Sequence, residues 1–479
     1  MSAHRPLRGD ELPELVAPVP GPSSSSLVDA LARSECPAIT ARRARRAAET
    51  GVPQDPIVWA QAKGANVRDV DGNRYVDLTS AFAVAGLGHA HPDVVAAGHA
   101  QLDRLVHAMG DVYPSDVKIA FTETLAHITP DGLEQSILGL SGASAIEAAL
   151  KTAAIHTGKP GVLAFWGGYH GLSHGALGAT AYRREFRQPF LGQLNPYTHH
   201  VPYPDPYRPP FGLPPDTAPG EVVRMCLAHV RAMLEGPATA GEGIGAMVVE
   251  PMQGRGGVVL PPAGFLRGLR EICDEHGVVL IFDEIYTGFA RTGRMFACDH
   301  EGVVPDVLCV GKAMGGGFPI SAAVGRPAVM QSWGASKGES VHTSTFLGNP
   351  LGCAMAKAAL DVLMREDWAA RARAAGAELH AELEELAVDF PQVVGEVRSR
   401  GMMLGVDLVT DPETRAPHGA LAIALTGALR ARGYLVLPSG TAGNVLTLTP
   451  PFVLSVPQRE GFLRALRASM RELLRHFSS

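Results

Sequence analysis

The chain has 479 residues, of which 46% are hydrophobic and 19% are charged, and its formal net charge is −6. This length exceeds what one core usually holds, so we expect two domains. The slightly negative charge and the lack of a long basic run exclude a nucleic-acid-binding surface of the usual kind.

The six cysteines are scattered, and neither a signal-like start nor an apolar span long enough for a bilayer is present. We therefore expect a cytoplasmic protein with reduced thiols that does not insert into a membrane.

The N-terminal region begins with a polar segment of low complexity, up to about residue 26, which is typical of a mobile tail or of an arm that orders against a partner. The basic stretch Ala41–Thr50 follows and indicates a solvated helix surface rather than a binding face. Alternating apolar residues then flank Asp71-Gly72-Asn73, which predicts a β-hairpin with strands at Asn66–Val70 and Arg74–Asp77.

Between about residues 90 and 350, helical periods alternate with apolar runs, which predicts a mostly parallel sheet covered on both faces. Helices are expected at Ser144–Thr157 and Phe265–His276, because each pattern is ended by a glycine. Ligands of such sheets bind at the carboxyl ends of the strands. The predicted strands are Val162–Trp166, Ala246–Glu250, Val278–Asp283 and Val307–Val310.

The chain after about residue 351 has a long Ala/Glu/Arg-rich helical pattern and then strands at Met402–Leu408 and Val445–Leu448. The predicted fold is α/β, with a large domain built on a mostly parallel sheet and a smaller α+β domain formed by both ends of the chain. We expect residues 1–90 to form an arm and part of the small domain, residues 91–350 the large domain, and residues 351–479 the rest of the small domain.

Two predicted strand ends bring a carboxylate and an amine to one edge of the sheet. Lys312 stands among glycines twenty-nine residues after Asp283, about one strand-to-strand step. An amine in a dry pocket loses its proton and can condense with an aldehyde, and a buried carboxylate can keep a pyridine nitrogen protonated. Each residue alone is more often structural, but together they suit the chemistry of pyridoxal 5′-phosphate.

The segment Leu140–Glu147 runs from a predicted strand into a predicted helix, where free N–H groups and the helix dipole favour an anion. Gly142 would allow a phosphate to approach closely, and Ala143 and Ser144 could donate hydrogen bonds. A serine-capped helix without a ligand would have the same sequence, so both interpretations stay open.

With these residues identified, the chain resembles the class III (ornithine/4-aminobutyrate-type) aminotransferases, which are fold-type I enzymes dependent on pyridoxal phosphate. The resemblance extends from about residue 57 to the end of the chain. It rests on six motifs that occur in the order of the family: Gly88–Pro92, Trp166–Gly171, Glu250–Gly254, Asp283–Gly293, Gly311–Pro319 and Thr345–Pro350.

The resemblance implies that Lys312 holds the cofactor as a Schiff base and moves a proton between the substrate and the cofactor, while Asp283 pairs with the pyridine nitrogen. It also implies a homodimer with a site shared across the interface. The other implied cofactor contacts are the two ring faces (Ile285 and Tyr169), the phenolic oxygen (Tyr286) and the phosphate (Gly142, Ala143 and Ser144, with Thr345 from the neighbouring subunit).

Two arginines that are frequent in the family are replaced here, by Leu172 and by Thr447. Arginine binds a carboxylate through two parallel bonds as no other side chain does, so recognition of a dicarboxylate of the usual kind is in doubt. Arg255 stands where many relatives have an acid, and we expect either a contact with a substrate carboxylate or phosphonate, or a structural ion pair. Phe82 and Arg255 are the candidate substrate contacts.

The predicted reaction is amino transfer between an amine or amino acid and a 2-oxo acid. An amino-acid racemase or epimerase is the main alternative, followed by decarboxylation and ammonia elimination, and a non-catalytic relative would be recognised by the lack of cofactor absorbance. A nucleotide site at Lys312 is disfavoured, because no Ser or Thr follows it and Asp306 replaces the first glycine of a P-loop. No metal is expected at His170 and His174, which lack a companion ligand at a suitable spacing.

Overall fold

The structure, a computed structural model, describes residues 5–37, 55–236, 243–335 and 338–477. The predicted basic helix at Ala41–Thr50 lies outside the described residues. The chain divides into two units, a smaller one formed by Met1–His91 with Ala374–Ser479 and a larger one formed by Pro92–Arg373. The boundary predicted at residue 350 is therefore too early, since the larger unit continues to Arg373.

The strands of the described residues are short, as is usual for sheets in globular proteins. In chain order they are β1 (Trp59–Lys63), β2 (Asn66–Asp69), β3 (Arg74–Asp77), β4 (Gln135–Gly139), β5 (Gly161–Phe165), β6 (Thr198–Val201), β7 (Ile244–Val249), β8 (Val279–Asp283), β9 (Val307–Val310), β10 (Ser321–Gly325), β11 (Val394–Arg400), β12 (Met403–Asp411), β13 (Ala416–Pro417), β14 (Tyr434–Leu435), β15 (Leu437–Ser439) and β16 (Val445–Leu448).

The α-helices range from single turns to six turns. In chain order they are α1 (Pro22–Ser34), α2 (Pro92–Arg104), α3 (Asp116–Ile128), α4 (Gly142–Thr157), α5 (His174–Ala179), α6 (Arg184–Arg187), α7 (Pro219–Glu235), α8 (Phe265–His276), α9 (Pro327–Met330), α10 (Pro350–Arg365), α11 (Trp368–Asp389), α12 (Gly419–Arg430) and α13 (Val456–Phe477). Among the described residues, none of these helices combines the length and the apolar character needed to cross a bilayer.

The larger unit is built on a seven-stranded sheet in the order β4-β10-β9-β8-β7-β5-β6. The five strands from β9 to β6 are parallel, whereas β10 runs antiparallel to both of its neighbours. The mostly parallel sheet predicted from the sequence is confirmed, and β9 has the predicted bounds. The strands β7, β8 and β9 are buried along their whole length, which explains their uninterrupted apolar sequences.

Two helices of the larger unit show how local sequence fixes the elements around the sheet. Helix α8 has the predicted bounds and ends at Gly277, which takes the left-handed conformation (φ 61°) that glycine adopts without strain. Helix α4 begins two residues before the predicted start, since Ser141 rather than Ser144 caps it. Its buried face, which includes Ala145 and Ile146, packs on the sheet beside Val248 and Ile281, and this packing directs the N-terminus of α4 to the carboxyl edge of the strands.

The smaller unit contains a four-stranded sheet, β1-β2-β3-β14, and an antiparallel sheet, β11-β12-β16-β15, with β13 paired to β12. The predicted hairpin is confirmed, since β2 and β3 pair in an antiparallel register that places Val67 opposite Tyr75. Strand β14 adds to the other edge of β3 in a parallel direction. The two ends of the chain therefore form one sheet, as expected.

The N-terminal segment is ordered against its own unit, which corrects the prediction of a mobile tail or of an arm that needs a partner. The amides of Val16 and Ala17 both donate to the side-chain oxygen of Asn73, at 2.8 Å. The amides of Ser23 and Ser24, at the start of α1, donate to the carboxylate of Asp71 at 2.7 and 2.9 Å. The side chains of Asn73 and Asp71 in the hairpin thus bind the backbone of the N-terminal segment, whose low hydrophobicity suggested disorder.

An unusual turn, Ser80–Ala83, follows β3 in the smaller unit. All four of its residues have positive φ angles, between 45° and 64°, and each such residue costs about 1–2 kcal/mol for an L-amino acid. Buried Asp77 holds the turn by accepting the amides of Thr79 and Ala81 and the Thr79 hydroxyl, at 2.6–3.0 Å. The turn displays Phe82, whose side chain is 61% exposed in the chain.

Candidate active site

The carboxyl ends of β8 and β9 bring the predicted carboxylate and amine to one edge of the seven-stranded sheet. The two strands pair in parallel with Asp283, the last residue of β8, opposite Cys309 of β9. Lys312 follows β9 after Gly311 and begins a single 3₁₀ turn. Parallel pairing therefore places both residues where such sheets bind ligands.

Asp283 is buried, with 4% of its surface exposed, and both of its carboxylate oxygens have partners. One oxygen accepts the Ile285 amide at 3.1 Å, and the other lies 2.8 Å from Nδ1 of His170. Burial opposes protonation of His170, but the hydrogen bond and charge of Asp283 prevail, with help from Glu250, and raise the pKa of the imidazole. The hydrogen bond from His170 therefore fixes the orientation of the Asp283 carboxylate.

Glu250 directly follows β7 and supports the loop that carries Tyr169. Its two carboxylate oxygens accept the backbone amides of Tyr169 and Gly254, each at 2.9 Å. Burial raises the pKa of Glu250 to about 7. This carboxylate is a positioning group, because its oxygens are engaged by backbone donors.

Lys312 has the environment expected of a reactive amine. Its Nζ lies 3.9 Å from the centre of the Tyr286 ring. Burial lowers the pKa of Lys312 to about 8, against the opposing charges of Asp283 and Glu250 and with a contribution from the positive charge of Arg255. The amine therefore has a larger neutral, nucleophilic fraction near neutral pH than an ordinary lysine has.

The N-terminus of α4 offers backbone N–H groups beside this edge. The Ser141 hydroxyl accepts the Ser144 amide at 3.2 Å and lies 2.9 Å from the Ser144 hydroxyl. The Ser144 amide is thus used within the cap, and the amides of Gly142 and Ala143 are the first-turn donors that no other described residue engages. A Cβ on Gly142 would stand 2.9 Å from Cδ1 of Ile285, so a larger residue would not fit.

Arg255 is held over an aromatic cluster rather than in an ion pair. Its guanidinium carbon lies 4.4 Å from the ring centre of Tyr169, 5.1 Å from that of Tyr182 and 5.6 Å from that of Phe186. The structural ion pair, one of the two expectations, is not found in the described part of the chain, where cation–π contacts take its place. The charge of Arg255 still reaches Lys312, whose pKa it helps to lower.

The other predicted residues, and the two residues that replace arginines, have varied surroundings. Thr345 is exposed in the loop before α10, and Phe82 belongs to the other unit. Leu172 is 49% exposed, whereas Thr447 is buried and bonded to the Ser439 hydroxyl. His170 and His174 have different partners, since His174 packs near Phe190 while His170 binds Asp283.

Sequence reasoning missed the roles of His170 and Glu250, although both residues lie within motifs that it had identified. The rule that identified Asp283, an acid directly after a buried parallel strand, applies equally to Glu250. For His170 the sequence gives no comparable signal, because its partner Asp283 is more than a hundred residues away in the chain.

The family model of the class III aminotransferases matches residues 47–470. An acetylornithine aminotransferase of Methanosarcina mazei is 36% identical over 86% of this chain and 91% of its own length. An alanine/serine racemase of Pyrococcus horikoshii is 30% identical over 97% of this chain and 94% of its own. The solved amine transaminase of an uncultivated Pseudomonas species, bound to pyridoxal phosphate, has a TM-score of 0.80 and 31% identity, over 88% of this chain and 95% of that one.

The parallel strand edge, its carboxylate and amine, and these similarities agree with one another. The chain belongs to the class III aminotransferase family, whose fold-type I members move amino groups with the help of pyridoxal phosphate.

Proposed function

We propose that Lys312 holds pyridoxal 5′-phosphate as a Schiff base and that the enzyme moves the amino group of a small amine or amino acid to a 2-oxo acid. The observation that carries this proposal is that Lys312, whose pKa burial lowers to about 8, lies at the same strand edge as the buried carboxylate of Asp283. Few other chemistries require both groups in that arrangement.

The residues fit this cofactor in charge and in space. The free amides of Gly142 and Ala143 at the N-terminus of the sixteen-residue helix α4 suit a phosphate. The absence of a side chain at Gly142 leaves room beside Ile285, which also lies next to Gly311. When bound, pyridoxal phosphate supplies an aldehyde for amine capture and a ring that accepts the electron pair of the substrate α-carbon.

Each nearby residue then has a distinct task. Asp283, bonded to His170, would keep the ring nitrogen protonated, and Ile285 and Tyr169 would pack on the two ring faces. Lys312 moves a proton from the substrate α-carbon, for which a pKa of about 8 is well matched. Tyr286, whose ring contacts the Lys312 amine, would bond the phenolic oxygen.

The substrate pocket differs from that of relatives with two carboxylate-binding arginines. Leu172 is apolar and Thr447 is engaged by Ser439, so neither provides a carboxylate clamp. We assign the carboxylate of the substrate to Arg255, which cation–π contacts hold in one place without neutralising its charge. This selects donors with at most one carboxylate, and a substrate contact of Phe82 stays a prediction.

The proposed active form is a homodimer in which Thr345 of the neighbouring subunit helps to hold the phosphate. An exposed apolar surface supports this proposal, because isolated domains rarely leave so many large side chains in water. Its most exposed members come from two segments joined by the hydrogen bond from Thr343 to Asp111. They are Val106, Met109, Val112, Tyr113, Val341 and Phe346, each at least 53% exposed in the single chain.

We place the enzyme in the cytoplasm, because its six cysteines are free thiols and five of them are buried as ordinary core residues.

Racemisation is the second candidate function, and the similarity to the alanine/serine racemase favours it. The two reactions share the removal of the α-hydrogen and differ in where the proton returns. Incubation of the enzyme with single amino acids in ²H₂O separates them, since a racemase exchanges the α-hydrogen without any 2-oxo acid. Exchange with loss of optical purity, and no dependence on an acceptor, would replace the aminotransferase proposal.

Borohydride reduction followed by peptide mapping tests the assignment of the lysine. The expected product is one peptide modified at Lys312, and the matched variant Lys312→Ala should give none. Modification of any other residue would overturn the assignment. Donors should then be screened against pyruvate and 2-oxoglutarate, with Arg255→Ala as the probe of carboxylate recognition: its KM should rise for amino acids but not for simple amines.

A further inference from the structure

A cavity of about 330 Å³ in the larger unit has no role in the proposed reaction. It lies beside α6, next to the ends of two parallel strands, since Trp166 directly follows β5 and His200 belongs to β6. The polar and aromatic residues around it are Trp166, Arg183, Arg184, Arg187, Gln188 and His200. None of these residues was placed in the cofactor or substrate site.

The cavity is rich in positive charge and has no acid in its lining. Arg184 and Arg187 stand three residues apart on α6, so their side chains leave the same side of the turn. Within the described ranges, neither arginine has a carboxylate at ion-pair distance. By contrast, the surface arginine Arg224 is paired with Glu221 at 2.6 Å. Two unpaired guanidinium groups around one cavity indicate that an anion completes the charge balance.

The innermost part of the cavity supports the same conclusion. Arg187 lies 3.4 Å from Nδ1 of His200, so two basic groups face each other. The Nε atom of Arg187 and the Nε2 atom of His200 are buried without a hydrogen-bond partner among the described residues. Burial lowers the pKa of both groups, and the charge of Arg187 adds to this effect on His200, whose pKa falls to about 4. Each group thus keeps one buried nitrogen that the described residues do not satisfy, although the two groups bond to each other.

The residues that line the cavity limit the kind of anion that can bind. Guanidinium groups recognise phosphate and carboxylate oxygens through paired N–H donors, and several of them around one point suit a dianion with tetrahedrally arranged oxygens. Gln188 adds a neutral donor. The Trp166 side chain is 53% exposed and provides a flat apolar wall for an organic group. The volume matches a small molecule rather than a peptide or a nucleic acid.

We propose that this cavity is a second anion site, which binds the phosphate group of inorganic phosphate or of a small phosphomonoester. Arg184 and Arg187 bind the phosphate oxygens, and Trp166 contacts any organic substituent. The site is separate from the α4 phosphate cradle, and its occupancy does not depend on the chemistry at Lys312.

Phosphate binding to the holoenzyme tests the proposal, because a bound cofactor fills the cradle at α4. Inorganic phosphate and phenyl phosphate should be titrated by calorimetry into the wild type, into Arg184→Gln and into Arg184→Gln/Arg187→Gln. We expect each lost guanidinium to weaken binding by about tenfold, the equivalent of one charge-assisted contact. Arg224→Gln is the matched control and should bind both probes like the wild type.

Cofactor absorbance and thermal unfolding identify a variant that fails to fold. If the double variant fails, the result depends on Arg184→Gln, which changes an exposed side chain. Trp166→Leu distinguishes the two sources of the anion. A selective loss for phenyl phosphate assigns the site to phosphomonoesters, and equal affinities for both probes assign it to free phosphate. Absence of saturable binding to the wild type, or unchanged affinity in the double arginine variant, would overturn the proposal.

Discussion

Among the regions that hold residues other than glycine in the left-handed part of backbone space, the sheet edge at Lys312 and the turn Ser80–Ala83 differ in scale. At the carboxyl edge of the seven-stranded sheet, Lys312 has a positive φ, 46°, and follows a buried strand after one glycine. In the Ser80–Ala83 turn of the smaller unit, four consecutive residues share this conformation. A single strained residue can orient one side chain. A turn of several strained residues persists only where hydrogen bonds from the surrounding residues hold its backbone.

The hydrogen bonds of the two regions follow this difference. At the sheet edge, the two carboxylate oxygens of Asp283 bond to His170 and to the Ile285 amide. The Lys312 amine contacts the ring of Tyr286. At the turn, the carboxylate of Asp77 accepts hydrogen bonds from Thr79 and Ala81 and also lies 2.9 Å from Nε2 of His89. We therefore expect the Asp283 carboxylate to act in catalysis and the Asp77 carboxylate to hold the backbone conformation of the turn. The following predictions test that division.

Lys312→Ala should produce the largest effect. We expect kcat/KM to fall by roughly 10⁴-fold, because both the cofactor attachment and the proton transfer are lost. Thermal stability should not fall, since the variant removes an amine that burial makes costly to charge. Steady-state kinetics and thermal unfolding measure the two effects. Lys357→Ala, which removes a lysine paired with Asp361 on the surface of α10, is the control and should remain active.

Asp283→Asn should reduce kcat by about 10³-fold, because the ring nitrogen loses the charge that keeps it protonated. The cofactor should still bind, with an altered absorption spectrum. The informative comparison is with the next residue, Glu284, whose carboxylate accepts the amides of Ala297 and Cys298 instead. Near-normal turnover in Asp283→Asn would remove the basis for assigning a chemical role to this carboxylate.

Asp77→Asn should destabilise the smaller unit by about 3 kcal/mol, because one carboxylate oxygen becomes a donor that faces other donors. Chemical denaturation monitored by circular dichroism measures this loss. Asp116→Asn, which changes an exposed carboxylate paired with Arg104, is the control and should leave stability nearly unchanged. Equal stabilities of the two variants would show that the turn does not depend on Asp77.

Glu284→Gln should change the pH dependence of stability rather than catalysis. Burial raises the pKa of Glu284 from 4.5 to about 7, so the folded protein retains this proton where the unfolded chain has lost it. The contribution of Glu284 therefore falls as pH rises between these two values and is constant above the higher one. Denaturation midpoints of the wild type and the variant should differ in slope over this range. Parallel pH profiles of stability would contradict the raised pKa of Glu284.

Ala81→Gly should give the smallest effect and one of unusual sign. Glycine adopts the angles of Ala81 (φ 48°, ψ 60°) without strain, so we expect stability to rise by about 1 kcal/mol, after allowance for the greater entropy of the unfolded chain. Ala96→Gly, on the exposed face of α2, is the matched control and should lower stability by about 1 kcal/mol. A loss in both variants would mean that the turn is not strained at Ala81.

Much of the larger unit could be predicted from the sequence, because its elements have strong local signals. Uninterrupted apolar runs mark the buried strands β8 and β9, and Gly277 marks the end of α8. The domain boundary could not be placed in the same way. Helices α10 and α11 both have Ala-rich helical patterns, and only tertiary packing reveals that α10 lies against α2 and α3 of the larger unit.

The candidate site was predictable where residues follow strands and unpredictable where side chains from distant segments meet. Asp283 and Lys312 were identified by their positions after strands, but the aromatic cluster under Arg255 depends on Tyr182 and Phe186, some seventy residues earlier in the chain. The left-handed turn had no signal either, since Ser80–Ala83 contains none of the residue types that favour positive φ.

The parallel pairing of β14 with β3 has a consequence for the order in which the newly made chain can fold. Every residue of Pro92–Arg373 leaves the ribosome before Tyr434 and Leu435 do, so the larger unit can form first. During that interval one edge of β3 stays open, and open strand edges are where nascent proteins associate wrongly. A segment translated after the whole of the larger unit thus completes a sheet that β1, β2 and β3 begin.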